Sequence, residues 1–289
     1  NILAQSLKGK GTRTIGVLVA DIRQTFFADI IKAIEFGANM EGYTIILCDS
    51  EDDIREEHLY IDILLQKRID GLILAPVDIE ISSEALLSSK LPFVQIDRKS
   101  NRYVSDFVGI DNMKSAETIT CYLIDQGYQR LGFLGYSERL YTMKMRVQGF
   151  KNALLKRGIT HQAMVKELDY RDKNKQDSIK HWLLAHQDIE AVVCLNDDVC
   201  YPTIGAIEDI GRTIPHDIGL ASFEEPRWFK YLTPPITALR QPAEEIGRIA
   251  ISLLLKRIQA PSDGEFQDIL LSPQCIQNRS GTLCSISSG

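Results

Sequence analysis

The chain alternates short apolar runs with longer stretches of helical periodicity, and this alternation constrains its fold more than any other feature. Ile15–Val19 is a continuous apolar run, and Phe26–Glu41 carries apolar residues at helical spacing before Gly42 ends it. Strands that alternate with helices form βαβ units, because each parallel strand needs a crossover before the next one. The pattern starts again after residue 113, so we predict two parallel sheets in succession.

The predicted elements define an α/β fold of two Rossmann-like subdomains, with helices on both faces of each sheet. The predicted strands are Ile15–Val19, Thr44–Cys48, Gly71–Ala75, Pro92–Ile96, Phe107–Ile110, Arg130–Gly135, Val165–Leu168, Ala191–Leu195 and Gly219–Ser222. The predicted helices are Phe26–Glu41, Glu56–Gln66, Ser83–Ser88, Lys114–Gln126, Met145–Arg157, Gln176–Ala185, Pro202–Asp209 and Ala243–Gln259. Two such lobes predict a ligand cleft between them. Ligands of open parallel sheets bind outside the carboxyl ends of the strands, so the loops there are the expected site.

The composition argues against a membrane protein, against DNA binding by this core alone, and against disulfides or metal-binding cysteines. The 289 residues contain no apolar run near the roughly 20 residues that a membrane span needs, and Asn1 does not open a signal peptide. A formal net charge of −6 argues against DNA binding by this core alone, because phosphate neutralisation needs clustered Lys and Arg. The cysteines are far apart, without a C-x-x-C, which favours free thiols over disulfides or metal ligands. They are Cys48, Cys121, Cys194, Cys200, Cys275 and Cys284.

Motifs typical of enzymes are missing. The chain has no G-x-G-x-x-G after a strand, no phosphate-binding G-x-x-x-x-G-K-[ST] and no H-E-x-x-H. Ser137 lacks the G-x-S-x-G context of a hydrolase nucleophile, and His181 and His186 do not share a helix face. We therefore predict a protein that is not an enzyme and that binds no cofactor and no metal.

Polar residues follow nearly every predicted strand. They include Asp21, Arg23, Asp97, Arg98, Asp111, Asn112, Asn196, Asp197 and Glu224. Carboxylates and amides bind sugar hydroxyls, and arginine binds oxygen atoms through two parallel donors. Two alternatives stay open: strand-end Asp and Asn also cap the helices that follow, and Arg23 and Arg98 can pair with Asp21 and Asp97.

The amino-terminal segment resembles the hinge-to-core junction of the lactose/galactose-repressor (LacI/GalR) family of transcriptional regulators. Asn1–Leu7 reads N-x-x-A-x-x-L, the loop Gly9–Arg13 follows, and Thr14–Ala20 begins the core. Further family-like motifs follow in order along the chain. They are Val17–Phe27, Phe93–Arg98, Val108–Asn112, Asn196-Asp197, Ile214–Ile218, Thr233–Thr237, Gln241-Pro242 and Asn278–Gly281.

The resemblance implies the type I periplasmic-binding-protein-like fold and a division of the chain. Residues 1–13 form a hinge helix and linker, and 14–112 form an N-terminal subdomain completed by 241–270. Residues 113–240 form a C-terminal subdomain completed by 271–281, and 282–289 form a disordered tail. Family members carry a helix-turn-helix headpiece before the hinge, and we expect this chain to lack it.

The resemblance also implies individual roles. The effector-binding residues it implies are Asp21, Arg23, Phe27, Asp97, Arg98, Arg146, Asn196, Glu224 and Gln241. Phe27 matches the aromatic residue that packs on the ligand, and Arg146 matches the arginine that binds ligand oxygens. Ala4 and Leu7 fall on the hinge, where a family leucine is wedged between base pairs in the DNA minor groove. Phe223-Glu224-Glu225 departs from the usual F-D-D or F-D-N, so the acid reaches one methylene further.

The resulting hypothesis is the effector-sensing and dimerisation domain of a sugar-responsive, DNA-binding repressor in the cytoplasm. The effector is a neutral sugar or a sugar acid, and its binding changes operator affinity allosterically. Arg23, Arg98 and Arg146 favour an acid, and Glu224–Phe229 loosely resembles a loop in regulators of ketogluconate-type catabolism. Homodimer contacts are predicted in 32–39, 59–66 and 202–208, although most of the apolar positions in these segments are expected to lie in the core. The alternative is a solute-binding protein of a sugar transport system, which shares the fold but needs no hinge helix.

Overall fold

The computed structural model describes residues 11–159, 163–260 and 264–282. They divide into two compact units. The first unit comprises the chain up to Ile110 together with Pro242–Leu271, and the second comprises Asp111–Gln241 together with the chain from Ser272 on. The predictions for Ala4, Leu7 and residues 283–289 lie outside the described residues.

Twelve strands are present in the described part of the chain. They are β1 (Thr14–Val19), β2 (Thr44–Asp49), β3 (Gly71–Leu74), β4 (Phe93–Ile96), β5 (Asp106–Ile110), β6 (Leu131–Gly135), β7 (Met164–Glu167), β8 (Ala191–Cys194), β9 (Gly219–Ser222), β10 (Thr237–Arg240), β11 (Asp268–Leu271) and β12 (Gln274–Ile276). The α-helices are α1 (Thr25–Met40), α2 (Ile54–Gln66), α3 (Glu84–Ser88), α4 (Asn112–Asp125), α5 (Tyr141–Lys156), α6 (Lys175–Ala185), α7 (Asp197–Asp209) and α8 (Ala243–Gln259). Short 3₁₀ helices follow at Phe229–Tyr231 and Arg279–Gly281.

The first unit is a six-stranded sheet in the order β11-β5-β4-β3-β1-β2, and every pair in it is parallel. Strand β1 lies between β2 and β3, so the direction in which strands are added reverses there. Loops that leave the carboxyl ends of strands beside such a switch point diverge and leave room for a ligand.

Alternate residues of the strands supply two hydrophobic layers, one on each face of this sheet. Val17 and Val19 belong to a cluster with α1 and α8, whereas Leu18 between them belongs to a cluster with α2 and α3. Side chains of successive strand residues point to opposite faces, so a strand covered on both faces is apolar throughout. The apolar run Ile15–Val19 therefore has helices over both of its sides.

The second unit repeats this topology in the order β12-β10-β9-β8-β6-β7. Its strands pair in parallel except β12, which is antiparallel to β10. The switch point lies between β6 and β8, and one continuous hydrophobic cluster around Phe133, Phe150 and Phe223 fills the unit. The predicted α/β class with two parallel-dominated sheets is confirmed.

The structure corrects three details of the predicted elements. Strands β10, β11 and β12 were not predicted: β11 and β12 are short and partly exposed at sheet margins, and β10 is buried between β12 and β9 but is only four residues long. Helix α7 begins at Asp197 rather than at Pro202, because the Asn196 side chain caps it and the proline is tolerated inside. Helix α5 begins at Tyr141, where no capping side chain marks the start, and Arg146 therefore lies in its second turn.

Candidate functional site

The loop after β1 holds Asp21 and Arg23 in one hydrogen-bonded pair. Arg23 donates from Nε and Nη2 to the two oxygens of the buried Asp21 carboxylate, each at 2.9 Å, and its backbone N–H donates to Oδ1 at 2.9 Å. The Arg23 side chain is 73% exposed. The alternative in which Arg23 pairs with Asp21 is therefore the arrangement in the structure.

The loop after β4 holds a second, buried ion pair. Arg98 donates from Nη1 and Nη2 to the two carboxylate oxygens of Asp52, and its Nε lies 3.6 Å from an oxygen of Asp97. The side chains of Arg98 and Asp52 are only 7% and 5% exposed. Asp97 was the alternative partner that the sequence suggested for Arg98. Asp52 was not predicted; it follows β2, and its φ of +54° places it in the left-handed region.

Phe27 lies in the hydrophobic cluster of the first unit. Its side chain is buried, and its ring meets the Phe26 ring edge-on with 5.3 Å between centroids. Phe27 thus packs in the core beside the loop that carries Asp21 and Arg23.

In the second unit, Arg146 contacts an amide, a backbone carbonyl and an aromatic ring. It donates from Nε to the Asn112 side-chain oxygen at 2.8 Å and from Nη1 to the Leu195 carbonyl at 2.7 Å. Its guanidinium carbon lies 4.3 Å from the centroid of the Phe223 ring, and the residue is 3% exposed. These contacts fix a buried cation at the carboxyl ends of β8 and β9.

The acidic residues next to Arg146 interact with one another. Burial raises the pKa of Asp197, a hydrogen bond with Glu224, the mostly buried acid after β9, opposes this rise, and the charge of Asp198 adds to it. Two hydrogen-bonded carboxyl groups share one proton more readily than they both ionise, because two adjacent negative charges repel each other. Oδ1 of Asp197 is buried and has no hydrogen-bond partner in the part of the chain that the structure describes.

Asn196 and Gln241 have different surroundings. The Asn196 side-chain oxygen accepts from the Val199 N–H at 3.1 Å, so Asn196 caps α7, as Asp111 caps α4 through the Lys114 N–H. The Gln241 side chain follows β10, and neither of its polar atoms, both buried, has a hydrogen-bond partner among residues 11–159, 163–260 and 264–282. A buried amide without partners normally carries a cost that a ligand or water removes.

A further cluster at the carboxyl ends of β6 and β7 was missed by sequence reasoning. The Tyr136 hydroxyl donates to Asp198, whose carboxylate also lies 3.2 Å from the Lys175 ammonium. This ammonium lies 5.7 and 5.5 Å from the ring centroids of Tyr136 and Tyr170, and the two rings meet edge-on at 5.3 Å. Aromatic residues directly after strands were the signal available in the sequence. Such rings suit the apolar face of a sugar or base.

Other classes of site have no support in the described residues. No group of three or more His, Cys, Asp or Glu there is arranged to hold a metal ion, and the five cysteines described are free. No described helix is long and apolar enough to cross a membrane.

The known proteins that this chain resembles point to a single family. Residues 12–280 match the sequence profile described as periplasmic binding proteins and sugar binding domain of LacI family. The chain is 30% identical to the transcriptional repressor PurR of Photobacterium profundum, over 89% of this chain and 78% of that one. It is 27% identical to the ribose operon repressor of Haemophilus influenzae, over 96% of this chain and 84% of that one.

Solved structures agree with this assignment. A LacI family regulator from Enterococcus faecium with bound ribose superposes with a TM-score of 0.83 and 27% identity, covering 94% of this chain and 100% of that one. The regulator CcpA of Lactococcus lactis gives a TM-score of 0.84 and 26% identity, covering 92% of this chain and 98% of that one.

Proposed function

Because the chain belongs to the LacI family of transcriptional regulators, we propose that it senses a small hydroxylated effector, a sugar or a sugar acid. Binding of this effector changes the affinity of the regulator for operator DNA. The observation that carries the proposal is Arg146, a buried arginine held at the strand ends over an aromatic ring. Asp197 and Gln241 support it, because each presents buried polar atoms that make no hydrogen bond to the described residues.

The ion pairs of the first unit favour a neutral effector over an acidic one. Arg23 already binds the Asp21 carboxylate through two donors, and Arg98 binds Asp52 in the same way. A ligand carboxylate would have to displace those partners and leave buried carboxylates without their cation. Asp197 and Glu224 add acidic groups in the second unit. We therefore prefer a neutral, hydroxyl-rich ligand.

A thermal-shift panel of neutral sugars, sugar acids, sugar phosphates and purine bases tests this function. A ligand that binds only the native state raises the melting temperature by mass action. We expect a neutral sugar to raise the melting temperature of the wild-type protein. Arg146→Ala should abolish this rise. The control Arg139→Ala, a change at an exposed arginine of the same unit, should retain it. No stabilisation by any compound, or equal stabilisation of Arg146→Ala, would overturn the proposal.

We also propose that the regulator is a cytoplasmic homodimer. Exposed apolar side chains on the first unit include Phe36 and Met40, one turn apart on α1, and Leu47 on the edge strand β2. Tyr201 and Tyr231 are exposed on the second unit, and Trp228 meets Tyr201 edge-on. Light scattering should give twice the 32.6 kDa chain mass. Phe36→Glu or Tyr231→Glu should shift this to monomer, while the exposed control Leu155→Glu should not.

A solute-binding protein of a transport system would have the same fold and the same kind of site. The curated relatives described above are repressors that this chain matches over most of their length, which favours the regulator. In a regulator, effector and operator must alter each other's affinity by the same factor. An effector affinity indifferent to operator DNA in the full-length protein would favour transport instead.

A further inference from the structure

A carboxyl group is buried beneath the strand-end loops of the first unit. Glu57, in the first turn of α2, is 0% exposed. Its Oε2 accepts a hydrogen bond from the Val77 N–H at 2.7 Å, whereas Oε1 is buried and accepts none from the described residues. A buried carboxylate normally collects several donors, because a lone buried charge is costly. Glu57 is therefore poorly satisfied in its ionised form.

Groups from three different loops face this carboxyl. Arg98, after β4, attracts its charge, while Asp52, after β2, and Asp78, after β3, repel it. The Tyr103 phenol is also close: burial raises its pKa, and the charge of Glu57 raises it further. Arg98 and Asp52 are the buried ion pair of the candidate site. Glu57 thus lies where these loops meet.

Burial raises the pKa of Glu57 to about 7, although the Val77 hydrogen bond and the Arg98 charge both oppose this rise. Near neutral pH, both protonation states are therefore populated. The ionised form makes a charge-assisted hydrogen bond to Val77, which is stronger than a neutral one, and attracts Arg98. The protonated form weakens both interactions.

We propose that Glu57 is a positioning residue of the effector-binding loops, and that loss of its proton accompanies effector binding. Ionised Glu57 holds the loop at Val77 and the Arg98 side chain in the arrangement that binds effector. Because coupling is reciprocal, effector binding then releases a proton from Glu57, and affinity falls as pH falls through neutrality. This inference rests on the proposed effector function, but its structural part is testable without any effector.

The first experiment is an NMR titration of the ligand-free protein between pH 5 and pH 9. With ¹³C-carboxyl-labelled glutamate and ¹⁵N-labelled amides, we expect one carboxyl signal and the Val77 amide to titrate together, with a midpoint near pH 7. Glu57→Gln should remove both titrations. The control Glu56→Gln, the same change on the neighbouring residue of α2, should keep them. A Val77 amide that does not titrate, or that still titrates in Glu57→Gln, would overturn the proposal.

The second experiment tests the coupling by calorimetry at pH 7 in buffers of different ionisation enthalpy. The probe is D-ribose first and then any sugar that stabilises the protein in the panel. Wild type should release a fraction of one proton per ligand bound and lose affinity by up to about tenfold between pH 8 and pH 6. Glu57→Gln should release none and bind independently of pH. Binding without proton release would overturn the coupling, whereas a silent panel would overturn the proposed function and leave the NMR result to decide the role of Glu57.

Discussion

The two units hold their strand-end cations in different ways. In the first unit, Arg23 and Arg98 are each bound through two donors to a carboxylate, Asp21 and Asp52 respectively. In the second unit, Arg146 is held by an amide oxygen, a carbonyl oxygen and an aromatic face. Arginines near the carboxyl ends of strands therefore have different electrostatic environments in the two units.

An arginine at the end of a strand is therefore not by itself a ligand-binding arginine. A guanidinium that already binds a buried carboxylate stabilises its own loop, and a ligand gains little from it. The contacts of Arg146 with an amide oxygen, a carbonyl oxygen and an aromatic ring orient its guanidinium, and we expect it to donate to ligand oxygens from this position. We therefore expect Arg23 and Arg98 to stabilise the loops of the first unit and expect Arg146 to be the more important arginine for effector binding.

The largest effect is expected on stability, when the buried ion pair of Arg98 in the first unit is broken. Arg98→Met removes the cation between two buried carboxylates and should lower the free energy of unfolding by about 3–5 kcal/mol. Urea denaturation measures this loss. Arg257→Met is the matched control, because it breaks another buried pair of the same unit, the one with Asp106. A loss below about 1 kcal/mol for Arg98→Met would show that the pair is not a structural part of the loop.

A smaller effect concerns the buried carboxyl of the first unit. The pKa of Glu57 is raised from its ordinary 4.5 to about 7, so the folded state binds this proton more tightly than the unfolded state. The contribution of protonated Glu57 to the free energy of unfolding is full below pH 4.5 and is lost as pH rises through about 7. At about 1.4 kcal/mol per pH unit, this corresponds to roughly 3 kcal/mol. Denaturation from pH 4 to 8 should show the slope in wild type, and a slope that persists in Glu57→Gln would assign it to another group.

The next effect is a loss of effector affinity, and it is expected in the second unit. If Arg146 binds the effector as proposed, Arg146→Met removes charged hydrogen bonds and should weaken effector binding by roughly 10- to 100-fold, the equivalent of about 1.5–3 kcal/mol. Calorimetric titration measures it, with melting temperature as the check that the variant is folded. Unchanged affinity in a folded variant would place the polar anchor elsewhere.

The smallest effect is expected at the exposed pair of the first unit. Arg23→Ala removes a side chain that is 73% exposed, so the ion pair is screened by solvent and should contribute at most about 1 kcal/mol to stability. Effector affinity should change by less than about threefold on the same grounds. A loss as large as that of Arg146→Met would show that Arg23 leaves Asp21 to bind the ligand.

The sequence was most informative where a periodic pattern spans a whole element. The apolar run at β1 and the helix α8 were predicted to within one residue, because burial on one or both faces dictates the pattern. Strands β10 to β12 were not found, because three or four residues carry too little pattern, whether the strand is buried, as β10 is, or partly exposed at a sheet margin, as β11 and β12 are. The start of α5 was missed because its first turn has no capping side chain.

The candidate site was predictable only in part. The position after a predicted strand pointed to Glu224, because parallel strands bring their carboxyl ends to one edge of a sheet, whereas Arg146 was predicted from the family resemblance. The Asp52–Arg98 pair was not predictable, since its partners are 46 residues apart and the pairing depends on how two loops fold. Lys175 was missed for the same reason, because its contacts with Tyr136 and Asp198 join three elements.

One measurement tests the central claim, that carboxylates already neutralise the first unit's cations and leave a site for a neutral effector. Calorimetric titration should compare the neutral sugar identified in the panel with the corresponding sugar acid, in which a CH₂OH group is replaced by a carboxylate. We predict that the neutral sugar binds at least about tenfold more tightly, the equivalent of about 1.4 kcal/mol. Tighter binding of the acid would contradict the account, because it would mean that a cation, either Arg146 or a first-unit arginine that leaves its carboxylate partner, pairs with the ligand carboxylate.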